Sequence, residues 1–183
     1  MPTLPTDTRV ADIDWSCWTP VDLATLLFVR DGGRVLLMIK KRGLGAGLIN
    51  APGGRLEPGE TPRQAALREV EEELCVRPRS AVWAGEHRFA FCDGYSMYVH
   101  VYWSDGADGE PLETDEAIPH WVAQDAIPYE RMWADDRIWI PHLLVGQRFS
   151  GRYIFDGARM VDHVVDLLAA DAPDGDVGVR RPG

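Results

Sequence analysis

Residues 54–76 read GRLEPGETPRQAALREVEEELCV, and this stretch decides the fold. Thr61 is a good N-cap, Pro62 suits the first helical position, and Gln64 stands where it completes a capping box. Leu67, Val70 and Leu74 recur at helical spacing, which predicts a helix over 62–74 with one apolar stripe. On that helix Glu69, Glu72 and Glu73 fall within an arc of roughly 100°, while Glu71 points elsewhere. Three carboxylates on one face repel each other, and a divalent cation removes the penalty. Hard oxygen ligands suit Mg²⁺ or Mn²⁺, with water and phosphate completing the shell. A solvated acidic face is the ordinary alternative for such a run. The preceding loop favours the metal. Pro52-Gly53-Gly54 and Pro58-Gly59 bend the chain back over the helix start, Glu60 lies just before it, and Arg68 sits on the carboxylate-bearing side. A Glu60–Arg68 pair would brace the loop.

Strands are expected over 23–30 and 34–41, joined by the turn Asp31-Gly32-Gly33, and a Gly- and Pro-rich loop follows over 43–59. Beyond the helix, strands are expected over 81–91, 97–104, near 120–122 and over 152–155. A second helix fits 135–146, and a last apolar segment covers 160–168. This is a mixed α/β or α+β pattern, and its strand spacing does not read as a doubly wound parallel sheet. Residues 1–20 read as an irregular N-terminal arm that Trp15 and Trp18 would pin to a single domain over 21–170. Residues 171–183 read as a disordered tail. Of seventeen arginines and two lysines, both lysines, Lys40 and Lys41, fall in the eleven-residue segment KKRGLGAGLIN, together with the chain's one asparagine, Asn50. Codon bias could leave these three behind. Alternatively, a compact ammonium and a side-chain amide are needed there, and arginine replaces neither.

Taken together, Gly54, five residues, Glu60, seven residues, Arg68-Glu69-Val70, one residue and Glu72-Glu73 match the Nudix box. The chain is identified by it as resembling the Nudix hydrolases. The resemblance implies an α/β/α sandwich with a central mixed sheet. It also implies Mg²⁺ held by Glu69, Glu72 and Glu73 with the backbone oxygen of Gly54, and Lys40 on the phosphate chain. Cys75 replaces the box's late glycine, which puts the helix C-cap in question. KKRGLGAGLIN, LETDEAIPHW and IPYERMWADDRIWIPHLL further resemble the oxidised purine nucleoside triphosphatases of that family, over about residues 23–168. This likeness implies a base pocket of Thr25, Asn50, Trp133, Asp135, Asp136 and Trp139, walled by Phe89, Phe91 and Met97. It offers Glu116 as an extra metal ligand or base. Trp133 can stack on a purine, and Asn50 can both donate and accept. Asp135 and Asp136 raise each other's pKa, so the pair can share a proton. The segment WADDRIW also reads as a helix start, with Asp capping and Trp in the core, and both readings can hold. Leu44, Leu48, Ile49 and Pro52 replace bulkier residues of the mammalian form, which allows a wider pocket.

A net charge of −10 argues against a nucleic-acid polymer as partner, though not against a small phosphorylated ligand held through a metal. Leu23–Val29 is the longest apolar run, too short to span a membrane, and no secretory signal is read. Three cysteines without a CxxC pair favour a reducing cytoplasm. His100 reads as structural, and Cys92 as a core or edge residue. The expected activity is Mg²⁺-dependent hydrolysis of an oxidised purine (deoxy)nucleoside triphosphate, such as 8-oxo-dGTP or 2-oxo-dATP, to monophosphate and pyrophosphate. The competing readings are a Nudix pyrophosphatase for a dinucleotide or nucleotide sugar, and a nucleotide-sensing domain without turnover. A monomer is favoured.

Overall fold

The computed structural model describes residues 2–174. Of the tail expected over 171–183, residues 175–183 lie outside the described residues. Ten strands and two α-helices follow in chain order: β1 (Asp22–Asp31), β2 (Arg34–Lys40), β3 (Ile49–Asn50), α1 (Pro62–Leu74), β4 (Arg77–Pro78), β5 (Val82–Phe91), β6 (Ser96–Asp105), β7 (Ala107–Asp108), β8 (Ala117–Ala123), α2 (Asp136–Leu144), β9 (Phe149–Asp156) and β10 (Arg159–Leu167). The main sheet runs β10-β9-β5-β6-β1-β2-β3, with β8 also on β2. β1–β6 and β5–β9 are parallel and the other pairs antiparallel, so the sheet is mixed, as expected.

Period-two alternation along β1 assigns the two faces. Leu27 and Val29 pack with Ala66, Val70 and Leu74 of α1. Phe28, between them, packs with Trp139, Ile140 and Leu143 of α2. The helices therefore cover opposite faces, which is the sandwich expected. The capping box of α1 forms in both directions: Gln64 N–H donates to Thr61 Oγ1 at 3.3 Å, and Thr61 N–H to Gln64 Oε1 at 2.9 Å. Cys75, the residue that put the C-cap in question, takes the left-handed conformation itself, at φ 58°. The helix stops where a glycine would stop it, with the cost of a Cβ in that region.

The N-terminal arm is pinned as expected. Val10, in a short 3₁₀ turn (Val10–Asp12), packs with Cys92, Ile154 and Trp15 against the edge of the sheet. Trp18 packs on Leu23, Leu56, Ala65 and Tyr98. The segment expected only as apolar over 160–168 is β10, paired with β9 throughout.

Candidate active site

The loop between β3 and α1 is pulled onto the sheet by backbone bonds. Gly54 O accepts from Thr25 N–H at 2.9 Å, and Pro52 O from Leu27 N–H at 3.0 Å. This approach requires glycine. A Cβ on Gly53 would lie 2.9 Å from the Thr25 carbonyl carbon and 3.0 Å from Leu26 Cα. A Cβ on Gly54 would lie 2.5 Å from Glu69 Cδ and 2.6 Å from its Oε2. The Gly54 backbone thus lies directly over the Glu69 carboxylate. Its carbonyl has one lone pair on Thr25, and its second remains for another partner.

Arg68 organises the acidic face. Its guanidinium grips both oxygens of Glu60, at 2.7 and 2.9 Å, as the loop-bracing pair was expected to. It also donates to Glu69 at 2.8 Å, Glu72 at 3.0 Å and the Arg55 carbonyl at 3.2 Å. The Glu60 bonds first, then those to Glu69 and Glu72, drive its pKa further upward. Glu73 faces the sheet and is buried. Its Oε2 accepts from Gly53 N–H at 2.9 Å, and Lys40 Nζ stands 3.5 Å from Oε1. Burial pushes Glu73 up to about 7, opposed by Lys40 and the Gly53 N–H. Burial also raises Glu69. Among the described residues the carboxylates do not close into a ligand cage of their own. Their repulsion is relieved by Arg68 and Lys40, which divide the three between them. Glu116, expected as an extra ligand or base, is ion-paired with Arg42 and stands on the cavity beside this face.

Beside this face opens a cavity of about 490 Å³. It is lined by Thr25, Lys40, Asn50, Phe89, Phe91, Met97, Trp133, Asp135, Asp136 and Trp139, so all ten expected substrate residues come together. Glu116 lines it as well, and so do Gly53 and Gly54, which lie against Glu73 and Glu69 of the carboxylate helix. Thr25 Oγ1 is buried without a hydrogen-bond partner. Asp135 and Asp136 are both buried at the start of α2. Trp139 Nε1–H donates to Asp135 Oδ2 at 3.0 Å, and Asp136 Oδ2 accepts from Trp133 N–H at 3.0 Å. Asp136 therefore serves the helix start, Trp139 fills the core, and both carboxylates still reach the cavity. Burial raises Asp135 to about 6, and burial with the neighbouring Asp135 charge raises Asp136 well above the usual range.

Sequence reasoning missed the mouth of this cavity. Arg42, Arg55 and Tyr95 line it, beside Leu44, which the sequence already marks as a pocket position. Tyr95 O–H donates to Asp22 Oδ2 at 2.9 Å, and Arg55 Nε pairs with the same oxygen at 2.9 Å. The three residues lie far apart in the chain and carry no motif, so no local signal marked them.

A family model, the NUDIX domain, matches residues 20–143. The chain belongs to the Nudix family. It is 43% identical over 146 residues to the oxidized purine nucleoside triphosphate hydrolase of Danio rerio, covering 79% of this chain and 94% of that protein. It is 39% identical over 134 residues to the protein of the same name from Mus musculus, covering 73% and 86%. Among solved structures, the mutator MutT protein from Bacillus halodurans superposes with a TM-score of 0.73 at 24% identity, covering 80% of this chain and 98% of that one. That likeness supports the fold. Among the described residues no helix is long and apolar enough to cross a membrane.

Proposed function

We propose that the protein hydrolyses oxidised purine (deoxy)nucleoside triphosphates, such as 8-oxo-dGTP and 2-oxo-dATP, to the monophosphate and pyrophosphate. The carrying observation is one cavity whose purine-sized aromatic and amide lining runs on to Gly53 and Gly54, the loop residues set against Glu73 and Glu69 of the carboxylate-bearing helix. The names of its animal relatives support the substrate class. Glu69, Glu72 and Glu73, with the Gly54 carbonyl, would hold Mg²⁺ or Mn²⁺. Their hard oxygens suit such an ion, and Gly54, where a Cβ would press on Glu69, leaves the cradle open. When bound, the ion neutralises phosphate charge and lowers the pKa of a water.

The chain's own residues do the rest. Trp133 offers a stacking face, and Asn50 reads a donor and an acceptor on the base edge. Thr25 Oγ1, buried and unpartnered, supplies a third directed contact. Asp135 and Asp136 share a proton and so can both donate and accept, which suits an oxidised guanine and an oxidised adenine alike. Lys40 meets the phosphates as a point charge at the junction of cavity and helix. Glu72 is the most exposed of the three carboxylates and is open to the attacking water, whose proton it can take. Water adds to one phosphorus of the α–β anhydride, the bond from that phosphorus to the bridging oxygen breaks, and monophosphate and pyrophosphate separate. The three free cysteines fit a reducing cytoplasm, where such nucleotides occur.

Variants test the division of labour. Asn50→Ala and Trp133→Ala lower kcat/KM for the oxidised triphosphate at unchanged Mg²⁺ activation, whereas Glu72→Gln abolishes turnover and leaves nucleotide binding intact. Loss of Mg²⁺ activation in the pocket variants, or undiminished turnover in Glu72→Gln, contradicts the assignment.

A further inference from the structure

Behind the aromatic wall of the cavity lie three polar atoms that the chemistry above does not use. His87 of β5 is fully buried, and neither ring nitrogen has a hydrogen-bond partner. Tyr153 of β9 is equally buried, and its hydroxyl has none either. The two meet at one point. His87 is in register with Gly151 of β9. A Cβ on Gly151 would fall 2.5 Å from Tyr153 Oη and closer still to His87 Nδ1. Glycine there leaves a gap that both polar atoms enter. Each also touches the base pocket from behind. Tyr153 stacks on Phe89, a cavity wall, with centroids 4.9 Å apart and planes at 17°. His87 packs on Trp139 at 4.6 Å, and the Trp139 indole N–H holds Asp135 Oδ2.

Buried polar atoms without a protein partner are costly, and hydrocarbon of similar shape would remove the cost. Such replacements exist for both side chains, so the presence of the polar groups points to use. We propose that His87 and Tyr153 are positioning residues for the base-reading pair Asp135 and Asp136. Their dipoles, set behind Phe89 and Trp139, let a carboxylate of this pair carry charge within an otherwise apolar shell. The inference rests on the reading that the cavity takes a purine. Burial keeps His87 neutral, so it contributes a dipole and not a charge. Around the pair stand Tyr153, whose hydroxyl is raised by burial and by both carboxylates, His87 on the far side of Trp139, the Trp139 N–H of α2, and Tyr129 from the 3₁₀ turn before α2, whose hydroxyl is raised by burial and by Asp136. His163 of β10 stacks on Tyr153 at 6.5 Å, and Lys40, Arg42, Arg55 and Glu116 line the same cavity as the pair.

The test follows kcat/KM against pH, with Mg²⁺, for 8-oxo-dGTP and 2-oxo-dATP in the full chain, His87→Leu and Tyr153→Phe. Melting temperatures are measured alongside, and ¹³C NMR titration of the Asp135 and Asp136 carboxyl carbons is run without substrate. The expected result is melting at or above that of the unaltered protein. With it, the carboxyl titration and the alkaline limb move to higher pH, by about one pH unit, so the ratio of the two substrates changes about tenfold on that limb. Altered melting with an unmoved titration and a substrate ratio within about twofold overturns the proposal and leaves an ordinary packing defect. Tyr153→Phe keeps the stack on Phe89 and removes one oxygen, so it decides the matter where His87→Leu does not fold. A moved titration without turnover of either oxidised purine sinks the substrate reading and upholds the coupling.

Discussion

Replacing Gly54 with alanine should separate function from stability. The added Cβ would sit 2.5 Å from Glu69 Cδ and 2.6 Å from Oε2. Carbon contacts settle near 3.5–4.0 Å, so the carboxylate must recede by about 1 Å. Gly54 is not among the positive-φ glycines, so alanine meets no backbone strain there. The obstructing atoms end a flexible side chain, so the fold can yield at a cost of about 1 kcal/mol or less. A ligand misplaced by about 1 Å costs on the order of 10²-fold in rate. The expected outcome is a melting temperature close to that of the unaltered protein, a kcat down about a hundredfold, and a higher Mg²⁺ requirement. Gly53→Ala is the control. Its Cβ would collide with the β1 backbone at Thr25 and Leu26, which cannot swing aside, so this variant melts well below the other. Thermal melts with and without Mg²⁺ and a metal titration of pyrophosphate release check both. A Gly54→Ala enzyme with turnover within threefold and unchanged metal dependence would refute the placement of Glu69 as a ligand under this loop.

Three further outcomes follow from the same geometry. Burial holds Glu73 at about 7 against an ordinary 4.5, so the folded chain keeps a proton that the unfolded chain has released, and metal-free stability falls as pH rises through that window. The change is at most about 3 kcal/mol, and melts in EDTA from pH 4.5 to 8 should decline less steeply in Glu73→Gln. Cys75→Gly relieves the left-handed Cβ at the end of α1, less the entropy of a new glycine, and should raise stability by about 0.5–1 kcal/mol, or about 2–4 °C in melting temperature. Arg68→Met removes the guanidinium partner of Glu60 and Glu69, both largely buried, and should cost about 1–3 kcal/mol in EDTA; Mg²⁺ should recover part of it by binding the folded state.

The helix and its carboxylates were legible because local rules agree there. Thr61, Pro62 and Gln64 mark one helix end without reference to the rest of the chain, and the spacing from Gly54 to Glu73 is a motif few folds share. The ten pocket residues were legible through resemblance, since Thr25, Phe89 and Asp135 sit on three elements that no local pattern joins. What escaped is non-local or short. The two-residue strands β3, β4 and β7 lack the length for an alternating pattern. Asp22, Arg55 and Tyr95 meet only because β1 and the loop over it bring them to one cavity mouth. His87 and Tyr153 occupy inward positions of ordinary-looking strands, and only the pairing of β5 with β9 shows that they share a gap over Gly151. The pairing of Glu116 with Arg42 escaped for the same reason: Arg42 lies on a loop whose path the sequence does not fix.

The most direct test of the central claim is a competition in one tube. Equimolar 8-oxo-dGTP, dGTP and a nucleotide sugar are offered with Mg²⁺, and the initial rates of product formation are separated by chromatography, which gives the ratio of kcat/KM values without further fitting. The account predicts that the oxidised purine is consumed first, with pyrophosphate as the second product and no turnover in Glu72→Gln. Preferential loss of dGTP or of the nucleotide sugar would contradict it.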